Sequence, residues 1–205
     1  MEHHQINTCI IILAAGSSSR MGQSKQLLKI EGEELLLRSV QIALQSAAKK
    51  TIVVLGANEM LHRKLIERIA IDVIINKEWE KGMGNSLKKG ITHLIESTPQ
   101  IEAALIMVCD QPMLTSDHLT RLIKTGSTDP NDIISSSYAN NLGVPVLFKK
   151  RFFKILLSIA DQEGAKSLLK KNKDQITPIE FPGGEIDLDT PSDYENFIST
   201  NAHKK

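Results

Sequence analysis

Cysteine is scarce in this sequence. Cys9 and Cys109 are the only two among 205 residues, and both lie in apolar runs typical of buried strands. A secreted scaffold held by disulfides is therefore excluded, and the fold must depend on its hydrophobic core. A content of 41% hydrophobic residues is enough for one substantial core at this length. We expect both cysteines to be thiols in a reduced, cytoplasmic protein.

An excess of charge of one sign is also absent. Lys and Arg number 25 and Asp and Glu number 24, so the formal net charge is +1 at pH 7. No global field would gather nucleic acid or an anionic membrane, and any polyanion site must be local. No apolar run approaches the roughly 20 residues that span a bilayer, and the first eight residues, MEHHQINT, lack a signal-peptide core. We expect a soluble protein without nucleic-acid or membrane partners, by default a monomer.

Segments with strand and helix periods alternate along the chain. Apolar β-branched runs and amphipathic stretches predict strands at 8–13, 51–55, 72–75, 103–109, 133–137 and 176–180, and helices at 34–48, 58–69, 85–95, 116–124, 151–159, 163–171 and from Pro191. Pro145 favours an edge or antiparallel strand for the apolar segment 144–148. The alternation predicts one domain over 1–205, a three-layer α/β/α sandwich around a mostly parallel sheet, with flexible ends at 1–7 and 200–205.

The usual phosphate-binding motifs are missing. Neither G-x-x-x-x-G-K-[ST] nor G-x-G-x-x-G occurs, so neither a P-loop nor a dinucleotide fold is indicated. The loop after the first strand nevertheless has small residues, Gly16, Ser17 and Gly22 among them, whose backbone N–H groups could approach an anion, and Arg20 and Lys25 add positive charge. A flexible Gly/Ser loop with two solvated cations is an equally good interpretation of these residues alone.

Acidic residues in two parts of the sequence, at Asp110 and in the segment 185–193, are candidates for holding a metal ion. Asp110 directly follows the apolar run 103–109, and a carboxylate at the end of a strand is well placed to bind Mg²⁺, although ordinary turn chemistry explains it equally well. In the segment 185–193, Thr190, Pro191 and Asp193 have the pattern of a helix start. Capping leaves Asp187 and Asp189 unexplained, and both would share a face of an extended chain.

Histidine and aromatic residues suggest no site. The six histidines have no metal-ligand spacing, and we interpret each as a surface or packing residue. The lone Trp79 and nearby Met83 are interpreted as packing residues, not as a platform on which a base stacks. Catalysis by a histidine base is thus not indicated.

Six motifs in order resemble one known family. They are LAAGSSSRMGQSKQLL at 13–28, NKEWEKGMGNSLKKG at 76–90, VCDQP at 108–112, GVP at 143–145, EGAKSLL at 163–169 and IDLDTPSDY at 186–194. Their order and spacing resemble the MobA-like nucleotidyltransferase family, in particular its molybdenum cofactor cytidylyltransferase (MocA-like) branch. The similarity covers nearly the whole chain.

The resemblance implies a fold and an activity. The fold would be Rossmann-like and of the GT-A type, binding a nucleoside triphosphate with Mg²⁺. The reaction would transfer CMP from CTP to the terminal phosphate of molybdenum-bound molybdopterin and release pyrophosphate. A client molybdenum enzyme or its chaperone would be a further partner. The LAAG form, in place of the LAGG form associated with guanylyl transfer, favours CTP.

The resemblance also assigns roles to residues. Arg20, Lys25 and Asp110 would be catalytic, and Asp110 and Asp189 would hold the metal ion. The residues that would bind the nucleotide are Leu13, Ala14, Ala15, Gly16, Ser17, Arg20, Lys25, Gly82, Ser86 and Asp110.

Two positions depart from the family pattern. Val144 stands where cofactor-transferring relatives often have a polar residue, and Lys166 stands where Arg is usual. Both belong to the half that would meet the acceptor, so two alternatives remain open. One is a cytidylyltransferase acting on a sugar or polyol phosphate, and the other is a non-catalytic nucleotide-binding chaperone for a molybdenum enzyme.

Overall fold

A seven-stranded sheet forms the centre of the molecule. The structure, a computed structural model, describes residues 5–202. The strands of the sheet are β1 Thr8–Ala14, β4 Lys50–Leu55, β5 Asp72–Ile75, β6 Ala103–Val108, β7 Ile133–Tyr138, β8 Asn141–Lys149 and β9 Ile176–Glu180. They lie in the order β5-β4-β1-β6-β8-β7-β9, and β8 alone among these seven strands runs against the others. The prediction of a mostly parallel sheet is confirmed.

Helices cover both faces of this sheet. They are α1 Leu35–Leu44, α2 Glu59–Ile66, α3 Met83–Ser97, α4 Ser116–Thr128, α5 Phe153–Ser158, α6 Ala165–Lys171 and α7 Pro191–Ala202. In β1, Ile11 packs in one core with residues of α3, α5 and α6, whereas the adjacent Ile10 and Ile12 pack in a second core with α1, α2 and α4. Successive side chains of a strand point to opposite faces, so a run that is apolar throughout is buried between two helical layers. The three-layer sandwich is confirmed.

β8 shows how the sheet accommodates a proline. Its antiparallel direction agrees with one of the two predictions, but the strand lies between β6 and β7, so the edge position was wrong. The register shifts between Ser135 and Ser136, which pair with Val146 and Gly143, so Pro145 lies in a bulge. A bulge leaves residues outside the ladder, where the missing N–H of proline breaks no hydrogen bond.

The C-terminal segment packs against the loop that follows β1. A third apolar cluster joins Leu188 and Phe197 to Met21, Leu28 and Leu35. A small hairpin that the sequence analysis did not predict, β2 Lys29–Ile30 with β3 Glu33–Glu34, lies in the same region, and the Tyr194 hydroxyl donates to the Lys29 carbonyl at 2.7 Å. This docking brings residues close to 190 next to residues close to 20.

Helix ends and chain ends differ from expectation in detail. α1 and α2 end at Leu44 and Ile66, earlier than predicted, while α4 continues to Thr128. Of the ends expected to be flexible, residues 1–4 and 203–205 lie outside the described residues, and Ile6 is buried with its N–H donating to Ser127 Oγ. Among residues 5–202, no helix is both long enough and apolar enough to cross a membrane.

Candidate active site

The loop between β1 and β2 is held by one buried glutamine. Gln26 is 1% exposed, and its Nε2 donates to the carbonyls of Ala14 and Gly16 at 3.1 Å each. Ser18 adopts the left-handed conformation with φ 58°, and its Oγ accepts the backbone N–H of Lys25 at 3.0 Å. The loop is therefore folded back on the end of β1 and is not a free Gly/Ser segment.

Two cations of this loop pair with two carboxylates from distant parts of the chain. The Lys25 ammonium donates to Asp110 Oδ2 and, at 3.1 Å, to Asp189 Oδ1, and Arg20 donates to Asp189 Oδ2 at 2.8 Å. The side chains of Lys25 and Asp110 are 17% and 15% exposed, whereas that of Arg20 is 71% exposed. The structure thus brings together the four charged residues to which the sequence analysis gave catalytic or metal-binding roles.

The carboxylates set the charge of Lys25. Burial alone would lower the pKa of Lys25, but the charge and hydrogen bond of Asp110, helped by a hydrogen bond to Asp189, outweigh it and hold the pKa above its usual value. Lys25 is therefore a cation throughout the neutral range. A mostly buried ion pair is weak evidence for a role in stability, because desolvation offsets much of the attraction. Its position beyond the ends of parallel strands favours a ligand site instead.

The backbone brings Asp110 and Asp189 side by side. Asp110 comes directly after β6, and its carbonyl accepts the N–H of Leu188 at 3.0 Å. Thr190 and Asp193 form the predicted helix start, with the N–H of Thr190 donating to Asp193 Oδ2 at 2.8 Å and Thr190 Oγ1 accepting the N–H of Asp193 at 3.3 Å. The end of β6 and the capped start of α7 therefore hold the two carboxylates in place.

One oxygen of Asp110 suits a metal ion. Its Oδ1 is buried and has no hydrogen-bond partner in the described structure, while Oδ2 accepts from Lys25. Over residues 5–202, no three His, Cys, Asp or Glu side chains converge as a metal-binding group. Mg²⁺ is commonly held by one or two carboxylates together with substrate phosphates, and the pair Asp110 and Asp189 fits that mode.

Asp187 is a third carboxylate at this site. The residue is exposed as a whole, but protein atoms around its carboxyl group partly desolvate it. That burial, and then the negative charges of Asp110 and Asp189, raise the pKa of Asp187 to about 6, while Lys25 and Lys166 act in the opposite direction. A cation bound by Asp110 and Asp189 would offset their negative charge and so oppose this rise in the pKa of Asp187. The sequence analysis found Asp187 but gave it no role.

A cavity of about 280 Å³ lies beside the loop, between it and the start of α3. Most of the residues predicted to bind the nucleotide line this cavity, namely Leu13, Ala15, Gly16, Ser17, Gly82 and Ser86. Trp79, Glu80 and Met83 complete the lining. Trp79 and Met83, which the sequence analysis interprets as packing residues, both line this cavity, and Met83 is 50% exposed. Their role stays a prediction. Ala14, also predicted to bind the nucleotide, is buried next to the cavity, and its carbonyl accepts from Gln26 Nε2.

Two features shape the floor of this cavity. Ser86 is oriented by Asn76, which is fully buried and donates to Ser86 Oγ at 2.9 Å. Gly82 has φ 122°, and a Cβ there would collide with the carbonyl of Asp161 and with Gln162. Only glycine accepts this conformation without strain, so the Gly82 predicted from the motif is required by the backbone.

The structure also reveals site residues that the sequence analysis missed. Gln26 and Asn76 are polar residues at buried positions, and His62 contacts the loop through Ser24. In the sequence, Gln26 directly follows Lys25, and Asn76 directly follows the predicted strand 72–75. These neighbouring positions are the signal that could have pointed to the two residues. His93 pairs with Asp72, and the three terminal histidines at 3, 4 and 203 lie outside the described residues.

Both cysteines are free thiols within the core, as expected. Burial raises the pKa of Cys9 and that of Cys109 to about 12 each. Neither residue therefore supplies a thiolate at neutral pH.

Comparison with known proteins identifies a family and a fold. Residues 10–176 match the MobA-like NTP transferase domain. Two similar proteins are the purine catabolism protein PucB of Bacillus subtilis, 29% identical over 90% of this chain and 93% of that protein, and the molybdenum cofactor cytidylyltransferase of Escherichia coli, 27% identical over 90% and 92%.

The solved structure of Rv0371c from Mycobacterium tuberculosis H37Rv superimposes with a TM-score of 0.83, at 23% identity over 96% of this chain and 100% of that one. A structure of the same protein in complex with manganese gives a TM-score of 0.75, at 23% identity over 95% and 99%. The Rossmann-like nucleotidyltransferase fold is thereby confirmed.

Proposed function

Because the chain belongs to the MobA-like NTP transferase family, we propose that it transfers CMP from CTP to the terminal phosphate of molybdenum-bound molybdopterin. Nucleotidyl transfer follows from the family, whereas the nucleotide and the acceptor are the proposal. One observation carries it: Lys25 bridges Asp110 and Asp189, with Arg20 on the same carboxylate, so a cation pair and a carboxylate pair meet at one point. The cytidylyltransferase from Escherichia coli and the LAAG sequence support CTP as the donor.

The charged residues of the site are suited to nucleotidyl transfer between phosphates. An oxygen of the acceptor phosphate attacks the α-phosphorus, the bond from that phosphorus to the β-phosphate breaks, and pyrophosphate leaves. Lys25 and Arg20 would stabilise the negative charge that develops on the α-phosphate and on the leaving group. Asp110 and Asp189 would hold Mg²⁺, which when bound supplies further positive charge to the phosphates.

No general base is needed, because a phosphate acceptor is already ionised at neutral pH. The histidines of the described chain are consistent with this, since His62, His93 and His118 hydrogen-bond to Ser24, Asp72 and Ser136 and not to the charged cluster. Catalysis then depends on positioning and on charge, which the folded loop and the docked C-terminal segment provide.

A second cavity suits an anionic acceptor. It measures about 370 Å³ and is lined by Asn140, Asn141, Leu142, Lys166, Leu169, Lys170 and Lys173. The charge of Lys166 opposes the rise in the pKa of Asp187, so Lys166 acts electrostatically on that carboxylate. Lys166 replaces the usual Arg with another cation, and Val144 packs against the core, so neither departure removes positive charge from this side.

One experiment tests the proposal. The purified protein is incubated with Mg²⁺, each of CTP, GTP, ATP and UTP in turn, and molybdenum-bound molybdopterin, while pyrophosphate is measured. We expect release with CTP only and only when molybdopterin is present. Asp110→Asn serves as the inactive variant and Asp117→Asn, an exposed acid on α4, as its matched control.

The same assay separates the alternatives. Pyrophosphate release with CTP and a sugar or polyol phosphate, without molybdopterin, would replace the proposed acceptor with a small phosphate ester. CTP binding without release under any pairing would show a nucleotide-binding chaperone. Release with GTP in preference to CTP would contradict the choice of base.

A further inference from the structure

A fully buried histidine on helix α2 contacts the loop between β1 and β2. His62 lies on α2, is 0% exposed, and its Nε2 lies 2.6 Å from Ser24 Oγ. Ser24 Oγ in turn lies 2.7 Å from Gln26 Oε1, and Ser18 Oγ lies 3.2 Å from the same oxygen. A continuous chain of hydrogen bonds thus connects α2 to the residues on both sides of Arg20.

The direction of every bond in this chain follows from Gln26. Its Nε2 donates to the carbonyls of Ala14 and Gly16, so its Oε1 must accept, and Ser18 and Ser24 must donate to it. Because the Ser24 proton is committed to Gln26, Ser24 Oγ can only accept from His62. His62 therefore carries its proton on Nε2.

The other ring nitrogen explains why His62 must be neutral. Nδ1 is buried and has no hydrogen-bond partner in the described structure. A second proton there would be a buried donor without an acceptor, which is more costly than a bare lone pair. Burial also lowers the pKa of His62 below its usual value of 6.5, so the neutral form predominates at neutral pH.

We propose that His62 is a positioning residue of the nucleotide site, which fixes the loop through Ser24 and Gln26. Gln26 holds the carbonyl of Gly16, which lines the 280 Å³ cavity, and the carbonyl of the nearby Ala14. Ser18, bound to the same Gln26 oxygen, holds the backbone of Lys25. That the ligand of this site is a nucleotide rests on the proposed function, whereas the effect of His62 on the order of the loop does not.

A purely structural role is the competing explanation. His62 and Ile66 are the buried residues of α2, so any change at His62 will also affect how this helix packs. Ile66→Val is therefore the matched control, because it removes one buried methyl group from the same helix without touching the loop. The readouts must report on the loop and not on stability alone.

The experiment compares His62→Leu, His62→Gln, Ser24→Ala and Ile66→Val with the unaltered protein. Hydrogen–deuterium exchange of residues 16–26 is measured without nucleotide, and MgCTP affinity is measured by calorimetry. In His62→Leu and Ser24→Ala, loss of one neutral hydrogen bond should make exchange of the loop about five- to tenfold faster and MgCTP affinity about five- to tenfold weaker. His62→Gln keeps a donor and should stay within about twofold, and the double variant His62→Leu/Ser24→Ala should be no worse than either single change.

Two results would overturn the proposal. Loop exchange in His62→Leu and Ser24→Ala that matches Ile66→Val would reduce His62 to a core residue. Faster exchange with unchanged MgCTP affinity would show that the site does not need the loop to be fixed. If the unaltered protein does not bind MgCTP, the proposed function fails, and the exchange measurement alone decides the role of His62. Ser24→Ala keeps the test valid even if His62→Leu does not fold.

Discussion

Replacing Lys25 by alanine separates charge stabilisation from nucleotide binding. Lys25 is the mostly buried cation between Asp110 and Asp189, and its removal leaves Asp110 without its only side-chain partner among the described residues. Removing one member of a buried ion pair costs about 3–5 kcal/mol. Because Asp189 keeps Arg20 and is 31% exposed, we expect the lower end of that range for the free energy of unfolding.

The kinetic effect should exceed the effect on binding. A charge that stabilises the transition state contributes about 10²- to 10³-fold in rate. Under the proposed function, Arg20 and the backbone N–H groups of the loop would still bind the triphosphate in the variant. We expect the single-turnover rate of pyrophosphate release to fall by about 10²- to 10³-fold and MgCTP affinity by about tenfold or less.

The assay needs three measurements on the same preparations. Single-turnover pyrophosphate release gives the rate, calorimetry gives MgCTP affinity, and urea unfolding gives stability. Lys89→Ala is the control, because this ammonium is 47% exposed and pairs with Glu78 away from the site. A loss of affinity in Lys25→Ala that equals or exceeds the loss of rate would refute the reasoning and make Lys25 a binding residue only.

Three further predictions follow from single residues. Asp110→Asn should abolish turnover while circular dichroism remains that of the folded protein, and turnover above about 10% of the original would remove the carboxylate from the mechanism. Gly82→Ala should weaken MgCTP binding by at least about tenfold in titrations, since a Cβ at φ 122° collides with the backbone that shapes the cavity; unchanged affinity would show that the cavity is not the nucleotide site. Burial lowers the pKa of His118 from 6.5 to about 4, so the unfolded chain binds a proton that the folded chain rejects, and stability should fall as the pH drops from about 6.5 to about 4. The full effect is about 3 kcal/mol, and His118→Gln should flatten that part of the stability profile measured by urea unfolding; an identical profile would contradict it.

The sequence determined the layers of the fold and half of the site. The runs CIIIL at 9–13 and AALIMVC at 103–109 are apolar at every position and rich in β-branched residues, which is typical of strands covered on both faces, so the parallel sheet could be predicted. The loop with Arg20 and Lys25 and the carboxylate of Asp110 follow these strands directly in the sequence. Because parallel strands end at one edge of the sheet, their meeting could also be expected.

Tertiary structure alone decided the partners of these residues. Asp189 reaches Lys25 across 164 positions only because Leu188 and Phe197 dock against Met21 and Leu28. The partner of His62 was also decided by tertiary structure. The helical pattern indicates only that His62 is a surface or packing residue, whereas the way α2 packs places its ring against Ser24. Periodicity reports which positions are buried and how the backbone runs locally. Which buried polar group faces which depends on the order of strands and on how helices pack, and those are set by contacts between distant segments that no local pattern contains.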